Sequence, residues 1–392
     1  MSSDAARDLD AWVPRLIAVW RKHRRGGAKQ QPPGRRGEAE PLPPDELTPQ
    51  ELKEVASGVK QLAHGLTRDR ALAGARYMDD PKLLGAYLLF YWPVSYAQAR
   101  ATLSELPQRP RSALDLGSGP GPLAFAAMDA GAGEAIAADR SRPALDLARA
   151  LAIEASEGLG TREWVPEKPL PDGQFDLITM GHVINELYQG DIGRRATLVE
   201  KVLEKVKPGG SLLIIEPALR ETSRALLQLR DRLVDQGHAI RAPCLFRGHC
   251  PALIKESDWC HAERGWRMPE LTTAIARAAT LHKESLKMSY LMLAPKGEAW
   301  AEPPDGTLFR IVSEPLEGKG RQRVMGCGPT GRVGLAMQDK HVNEKTRLFG
   351  KAVRGDVLRV SNTEPRGDGV TLTEHSTVEI IANAGRPVVK PP

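Results

Sequence analysis

Three groups of residues in this 392-residue chain have types and spacings suited to chemistry. The first lies in Ala113-Leu-Asp-Leu-Gly-Ser-Gly-Pro-Gly-Pro-Leu-Ala-Phe125. A short apolar run carries an acid, Asp115. A tight loop of Gly117, Ser118, Gly119 and Gly121 follows, and then an apolar helical pattern. Glycine accepts the sharp turns that bring backbone N–H groups against a nucleotide-like ligand. Asp139 ends the next apolar run, 18 residues after Gly121. A carboxylate there can accept hydrogen bonds from both hydroxyls of a ribose. The second group is His182, Asn185 and Glu186, in Phe175-Asp-Leu-Ile-Thr-Met-Gly-His-Val-Ile-Asn-Glu-Leu187. These three are the candidate catalytic residues: His182 as a base, and Asn185 and Glu186 to orient an amine or hydroxyl. A plainer reading makes Asn185 and Glu186 the start of the next helix.

The third group is the four cysteines, Cys244, Cys250, Cys260 and Cys327. The first three fall within 17 residues, spaced Cys-x5-Cys and Cys-x9-Cys, and a gap of 66 residues separates them from the fourth. Clustered thiols in a cytoplasmic protein favour metal over disulfides. Four thiolates suit a closed zinc site or an iron–sulfur cluster, and the spacing leaves both open. His249 and His261 adjoin cysteines and are substitute ligands on paper.

The elements that must position these groups alternate. Strand patterns at 113–116, 134–138, 175–180 and 211–216 interleave with helix patterns at 123–130, 143–157, 193–206 and 222–236. This predicts an α/β fold with a mostly parallel sheet and helices on both faces. Runs at 288–294 and 307–313 are expected to close that sheet. Before it, the chain reads as a helix and basic Pro/Gly linker (1–44) and a helical unit (45–110), in which Thr48-Pro-Gln-Glu51 has capping-box spacing. The core domain is expected over 111–313 with a cysteine-bearing insertion at 237–270. A basic β-rich module (314–385) and a tail (386–392) complete it. From Arg310 onward there are 14 Lys and Arg against 9 Asp and Glu, which places about +5 of the net +6 in the last fifth of the chain. Arg321, Arg323, Arg332, Lys340, Lys345, Arg347, Lys351 and Arg354 could there track RNA phosphates, or form an ordinary solvated face. No apolar run approaches the length of a membrane span. The expectation is a soluble, cytoplasmic protein, monomeric when free and without a membrane partner.

Two resemblances attach to these residues. The spacing Gly-x-Gly-x-Gly after Asp115 resembles motif I of class I S-adenosylmethionine-dependent methyltransferases, which have a Rossmann-like sheet; it is not the Gly-x-Gly-x-x-Gly of dinucleotide folds. That implies S-adenosylmethionine on Asp115, Gly117, Ser118, Gly119, Gly121 and Asp139. Over roughly residues 77–369 the chain also resembles the Rsm-type methyltransferase-like proteins of the small ribosomal subunit. The carriers are the glycine loop, Gly181-His-Val-Ile-Asn-Glu-Leu187, Leu213-Ile-Ile-Glu-Pro217, Ala242-Pro-Cys244, Cys250-Pro251, Asp258-Trp-Cys260, Ser289-Tyr-Leu-Met-Leu293, Ser313-Glu-Pro315, Cys327 and Gly355-Asp356. The resemblance implies a 4Fe–4S cluster on Cys244, Cys250, Cys260 and Cys327, with zinc as the alternative. It also implies the small ribosomal subunit and its rRNA as partners, through rRNA methylation or subunit assembly. The competing expectations are a non-catalytic assembly factor, and a small-molecule or protein methyltransferase with structural zinc.

Overall fold

A computed structural model describes residues 3–26, 43, 45–282, 284–300, 307–367 and 369–383. Most of the expected linker and the expected tail lie outside the described residues.

The N-terminal helices are α1 (Ser3–Gly26), α2 (Pro49–Ala63), α3 (Pro81–Ala86) and α4 (Trp92–Leu103). Helix α1 carries Leu9, Trp12, Val13, Leu16, Ile17 and Trp20 on one buried stripe, the mark of an amphipathic helix laid on a core. The capping box opens α2 as expected: Thr48 Oγ1 accepts from Glu51 N (3.1 Å), and Glu51 Oε2 accepts from Thr48 N (2.9 Å). These helices share one hydrophobic core with a face of the sheet that follows. The Trp12 ring lies 4.6 Å from Phe125 and 5.3 Å from Trp92, and its Nε1 donates to Asp129 (2.8 Å). The helical unit is therefore packed onto the helix behind the glycine loop.

The first sheet holds β1 (Ser112–Leu116), β2 (Glu134–Asp139), β3 (Leu159–Glu163), β4 (Phe175–Gly181), β5 (Val206–Pro217), β6 (Ile240–Ala242), β7 (Ala262–Gly265) and β8 (Ser285–Leu293). The strand order is β3-β2-β1-β4-β5-β8-β6, with β7 also on β8. Strands β1 to β5 run parallel, and β8 is antiparallel to β5. Helices α5 (Pro122–Asp129), α6 (Arg142–Ala155), α7 (Ile192–Leu203) and α8 (Arg220–Asp235) connect them, and α9 (Glu270–Ala278) precedes β8. All five residues of β1 are buried, as a strand covered on both faces requires. The order reverses at β1, between β2 and β4, which is where open α/β sheets bind ligands.

A second sheet holds β9 (Leu308–Ile311), β10 (Leu316–Gly318), β11 (Arg321–Gly328), β12 (Gly331–Gln338), β13 (Val357–Ser361), β14 (Glu364–Arg366), β15 (Gly369–Leu372) and β16 (Thr377–Ala382). Its order is β14-β15-β12-β11-β9-β13-β16, with β10 on β11. Here one expectation is corrected: the 307–313 run does not close the first sheet. Strand β9 pairs with β11 and β13, because β6 and β7 already occupy β8. Phe309 and Ile311 instead join Val324, Leu335 and Leu358 in a separate core.

Candidate cofactor cleft and thiol cavity

A cleft of about 380 Å³ opens at the C-terminal edge of β1, β2 and β4. Gly117, Asp139, His182, Asn185 and Glu186 all line it, joined by Arg140, Trp164, Tyr87, Gln98 and Lys287. The loop's geometry explains its glycines. Gly117 and Gly119 have φ of +71° and +53°. A Cβ on Gly117 would stand 2.5 Å from Val183 Cγ2, and one on Gly119 would stand 2.9 Å from Met78 Cε.

Asp139 is buried, and each of its oxygens accepts one backbone N–H: Oδ2 from Gly119 (2.8 Å) and Oδ1 from Ser141 (2.7 Å). Burial raises its pKa against these two bonds. A carboxylate oxygen has room for a second donor, so both remain able to receive ribose hydroxyls. Asp115 plays a different part. Its carboxyl accepts from Thr179 Oγ1 (2.8 Å) and Ala124 N (3.2 Å), which ties β1 to β4 and α5. It does not line the cleft, nor do Ser118, Gly119 or Gly121. Burial pushes Asp115 up to about 7.

The three candidate catalytic residues converge, but each is already engaged. His182, at φ +60°, has Nε2 2.9 Å from Gln98 Oε1. Gln98 Nε2 donates to the Lys287 carbonyl (3.0 Å). Asn185 and Glu186 do not start a helix: they sit in a short 3-10 turn, and Asp191 caps α7. The Asn185 side chain donates to Glu216 (2.6 Å) and the His182 carbonyl (3.0 Å), and accepts from Arg70 (2.6 Å). Glu186 accepts from Gly74 N (3.1 Å). Burial pushes Glu186 up to about 7 and Glu216 up to about 8.

Sequence reasoning missed the segment that covers this cleft. Residues 66–79 fold over it, and Met78 presses on the glycine loop. Arg140 holds the segment by donating to the Gly74 carbonyl (3.0 Å) and the Ala75 carbonyl, and Ser141 donates to Asp79 (2.8 Å). Only the position of Arg140, directly after Asp139, could have drawn attention to it.

The three clustered cysteines and the distant Cys327 line one cavity of about 60 Å³. That is several times the space one water needs. Helix α8 shapes the loop carrying three of them. Arg224 donates to the carbonyls of Ala252 (3.1 Å), Lys255 (2.8 Å) and Asp258 (2.7 Å). Arg230 donates to the Phe246 and Gly248 carbonyls, and Asp231 accepts from Cys250 N (2.9 Å). Strand β11 brings Cys327 across from the second sheet. The thiols line the wall without converging: among the described residues no three His, Cys, Asp or Glu side chains form a group that would hold a single metal ion. Burial pushes the Cys250 and Cys327 thiols up to about 12. Such thiols ionise only when something compensates the charge.

Cations supply compensation. Arg264, Arg310, Arg332 and Arg354 line the cavity. Two of the eight residues expected to face RNA are therefore placed elsewhere: Arg332 pairs with Asp258, and Arg354 pairs with Glu314 (3.0 Å) and lines the thiol cavity. Arg323, Lys340, Lys345, Arg347 and Lys351 are exposed, and Arg321 is half-buried. His261 also lines the cavity, whereas His249 is exposed and paired with Asp235 (2.8 Å). Behind the wall, Glu105, just past α4, accepts from Arg310 (2.7 Å), Arg264 (3.2 Å) and Tyr290.

The strand order, with parallel β1 to β5 and an antiparallel β8, is that of a class I methyltransferase-type sheet. The family model described as mitochondrial small ribosomal subunit Rsm22 matches residues 82–365, and the chain belongs to that family. Solved structures with a similar outline include a ribosomal protein L11 methylase from Lactobacillus delbrueckii subsp. bulgaricus. It is 16% identical, with 52% of this chain and 79% of that one covered, at a TM-score of 0.33. A precorrin-6y C5,15-methyltransferase from Geobacter metallireducens is 15% identical over 51% and 89%, at 0.34. A methyltransferase from Pyrococcus furiosus is 12% identical over 51% and 82%, also at 0.34. At these scores the likenesses carry no functional argument. Comparison with curated proteins gave no match. Among the described residues no helix is long and apolar enough to cross a membrane.

Proposed function

We propose that this protein binds S-adenosylmethionine in the cleft and a 4Fe–4S cluster in the thiol cavity, and that it acts on or with the small ribosomal subunit. The observation that carries this reading is that three thiols of one loop and a fourth from the second sheet line one cavity, with buried cations, beside a glycine-loop cleft. Asp139 and the Gly117 backbone would hold the cofactor's ribose and amino-acid ends. Cys244, Cys250, Cys260 and Cys327 would ligate the cluster. Thiols spread around a cavity suit a multi-iron core better than zinc, which draws four sulfurs to about 2.3 Å from one point. The bound cofactor would supply the methyl group; His182 and Glu186 would orient the acceptor. Arg323, Lys340, Lys345, Arg347 and Lys351 offer the exposed cations for rRNA phosphates.

A second reading is favoured by the hydrogen bonds that occupy His182, Asn185 and Glu186, and by the segment over the cleft. It is an assembly factor that keeps the cofactor fold without turnover. One experiment separates them: transfer of labelled methyl from S-adenosylmethionine to rRNA in small subunits, wild type against Glu186→Gln. Labelling lost in the variant supports the enzyme. No labelling by wild-type protein that still co-sediments with subunits supports the assembly factor. Anaerobically purified protein should be brown with iron and sulfide; colourless protein with stoichiometric zinc overturns the cluster.

A further inference from the structure

Two buried guanidinium groups, Arg310 on the wall of the thiol cavity and Arg230 behind the loop that carries Cys244 and Cys250, are incompletely satisfied. Arg230 is 1% exposed and Arg310 is 9% exposed. Arg230 gives its terminal N–H groups to Asp231 (2.7 Å) and to the Phe246 and Gly248 carbonyls. Arg310 gives its own to Glu105 (2.7 Å) and the Gly355 carbonyl (3.1 Å). In both, the buried Nε–H has no acceptor among the described residues. A third buried ring nitrogen, His261 Nδ1 on the cavity wall, also has none. Leaving the N–H of a buried cation unmade is costly, so the Arg310 Nε–H on the cavity wall, beside the unpartnered His261 nitrogen, points to a missing occupant. An occupant that accepts from the Arg310 guanidinium, with the Arg230 guanidinium held behind it by the Phe246 and Gly248 carbonyls, is favoured by negative charge. Both cations stand within electrostatic reach of sulfur: burial alone would lower the pKa of Arg230, but the Cys244 thiol, Asp231 and the Cys250 thiol raise it. Burial is likewise overcome at Arg310, by Glu105, Tyr290 and the Cys244 thiol.

We propose that Arg310 and Arg230 tune the cluster: the Arg310 Nε–H on the cavity wall donates to a cluster sulfur, and the Arg230 charge behind the wall acts with it to stabilise the reduced, more negative form. This rests on the cluster reading above. Hydrogen bonds to sulfur and nearby positive charge both raise the potential of an iron–sulfur centre. Contacts to Glu105 and the Gly355 carbonyl fix the Arg310 fork and leave its Nε–H for the occupant.

The test is spectroelectrochemical titration of anaerobically purified full-length protein, with iron and sulfide quantified first. Arg230→Gln and Arg310→Gln should keep iron and lower the midpoint potential. The expected shift is at least a tenfold change in the reduced-to-oxidised ratio, about 59 mV for one electron. Arg310→Gln takes one of three donors from Glu105, so Glu105→Gln/Arg310→Gln, which keeps the wild-type net charge, is titrated beside it; a lowered potential in this pair supports the proposal even if the single variant loses iron. Iron-loaded variants with the wild-type potential overturn this inference and leave the cluster reading standing. Wild-type protein without iron and sulfide overturns both.

Discussion

At Asp115 the residue type was legible and its role was not. An acid two positions before a glycine loop reads as a cofactor ligand, yet it is a brace among β1, β4 and α5. Its pKa is raised from 3.8 to about 7 by burial. A raised carboxyl stabilises the fold fully below its ordinary value, and that contribution is lost as pH rises through about 7. We predict that wild-type protein loses thermal stability across that window and that Asp115→Asn flattens the loss, measured as melting temperature against pH. Asparagine can still accept from Ala124 N while donating to Thr179. Asp115→Ala leaves both partners unmet and should cost about 2–3 kcal/mol in denaturant melts. If the Asn variant keeps the full pH slope, the titration belongs to other groups, of which Glu216 is the first to try.

At the scale of elements, the parallel strands and the helices between them were readable because each carries an apolar run of the right period. Strands β3, β6 and β7 were not. Thr161, Arg162, Arg241, Glu263 and Arg264 interrupt them, and only pairing with a neighbouring strand makes them extended. The segment over the cleft was equally illegible, because its anchors are backbone carbonyls that reach Arg140 from 65 and 66 residues away. Arg140→Ala should free that segment, read as faster amide hydrogen exchange across residues 70–79 with α6 unchanged. Slow exchange in the variant would mean that Ser141–Asp79 and Glu186–Gly74 suffice. Helix α8 makes a parallel case for the thiols. Arg224→Ala removes the shared donor to four loop carbonyls and should lower iron per chain severalfold on reconstitution, while the far-ultraviolet spectrum stays the same.

At the scale of the whole molecule, composition announced a basic β-rich stretch, and a second sheet runs from Leu308 to Ala382, but its junction with the first was hidden. Glu105 gives no local sign that it will meet Arg264 and Arg310, 159 and 205 residues further on. The exposed cations of the module set a salt test. Replacing Arg323, Lys345 and Lys351 together with Gln should weaken small-subunit binding and reduce the slope of log affinity against log salt by about 2–3, at about 0.7–0.9 per lost phosphate contact. An unchanged slope would move the RNA-facing surface elsewhere.

Strand β8 has a consequence for how such a protein can change over time. It puts Lys287 on the cofactor cleft and Tyr290 on the thiol cavity. At about 3.3 Å per residue, one strand of backbone about 10 Å long is the partition between them. The two chambers are rooms with a common wall, so a recombination event or proteolytic nick that removes the module also strips one side of that wall. The loss is one-sided: the module supplies Cys327 and Arg332 to the thiol cavity, whereas the cleft is lined by residues 66–287 alone, so the cleft can be inherited without the cavity.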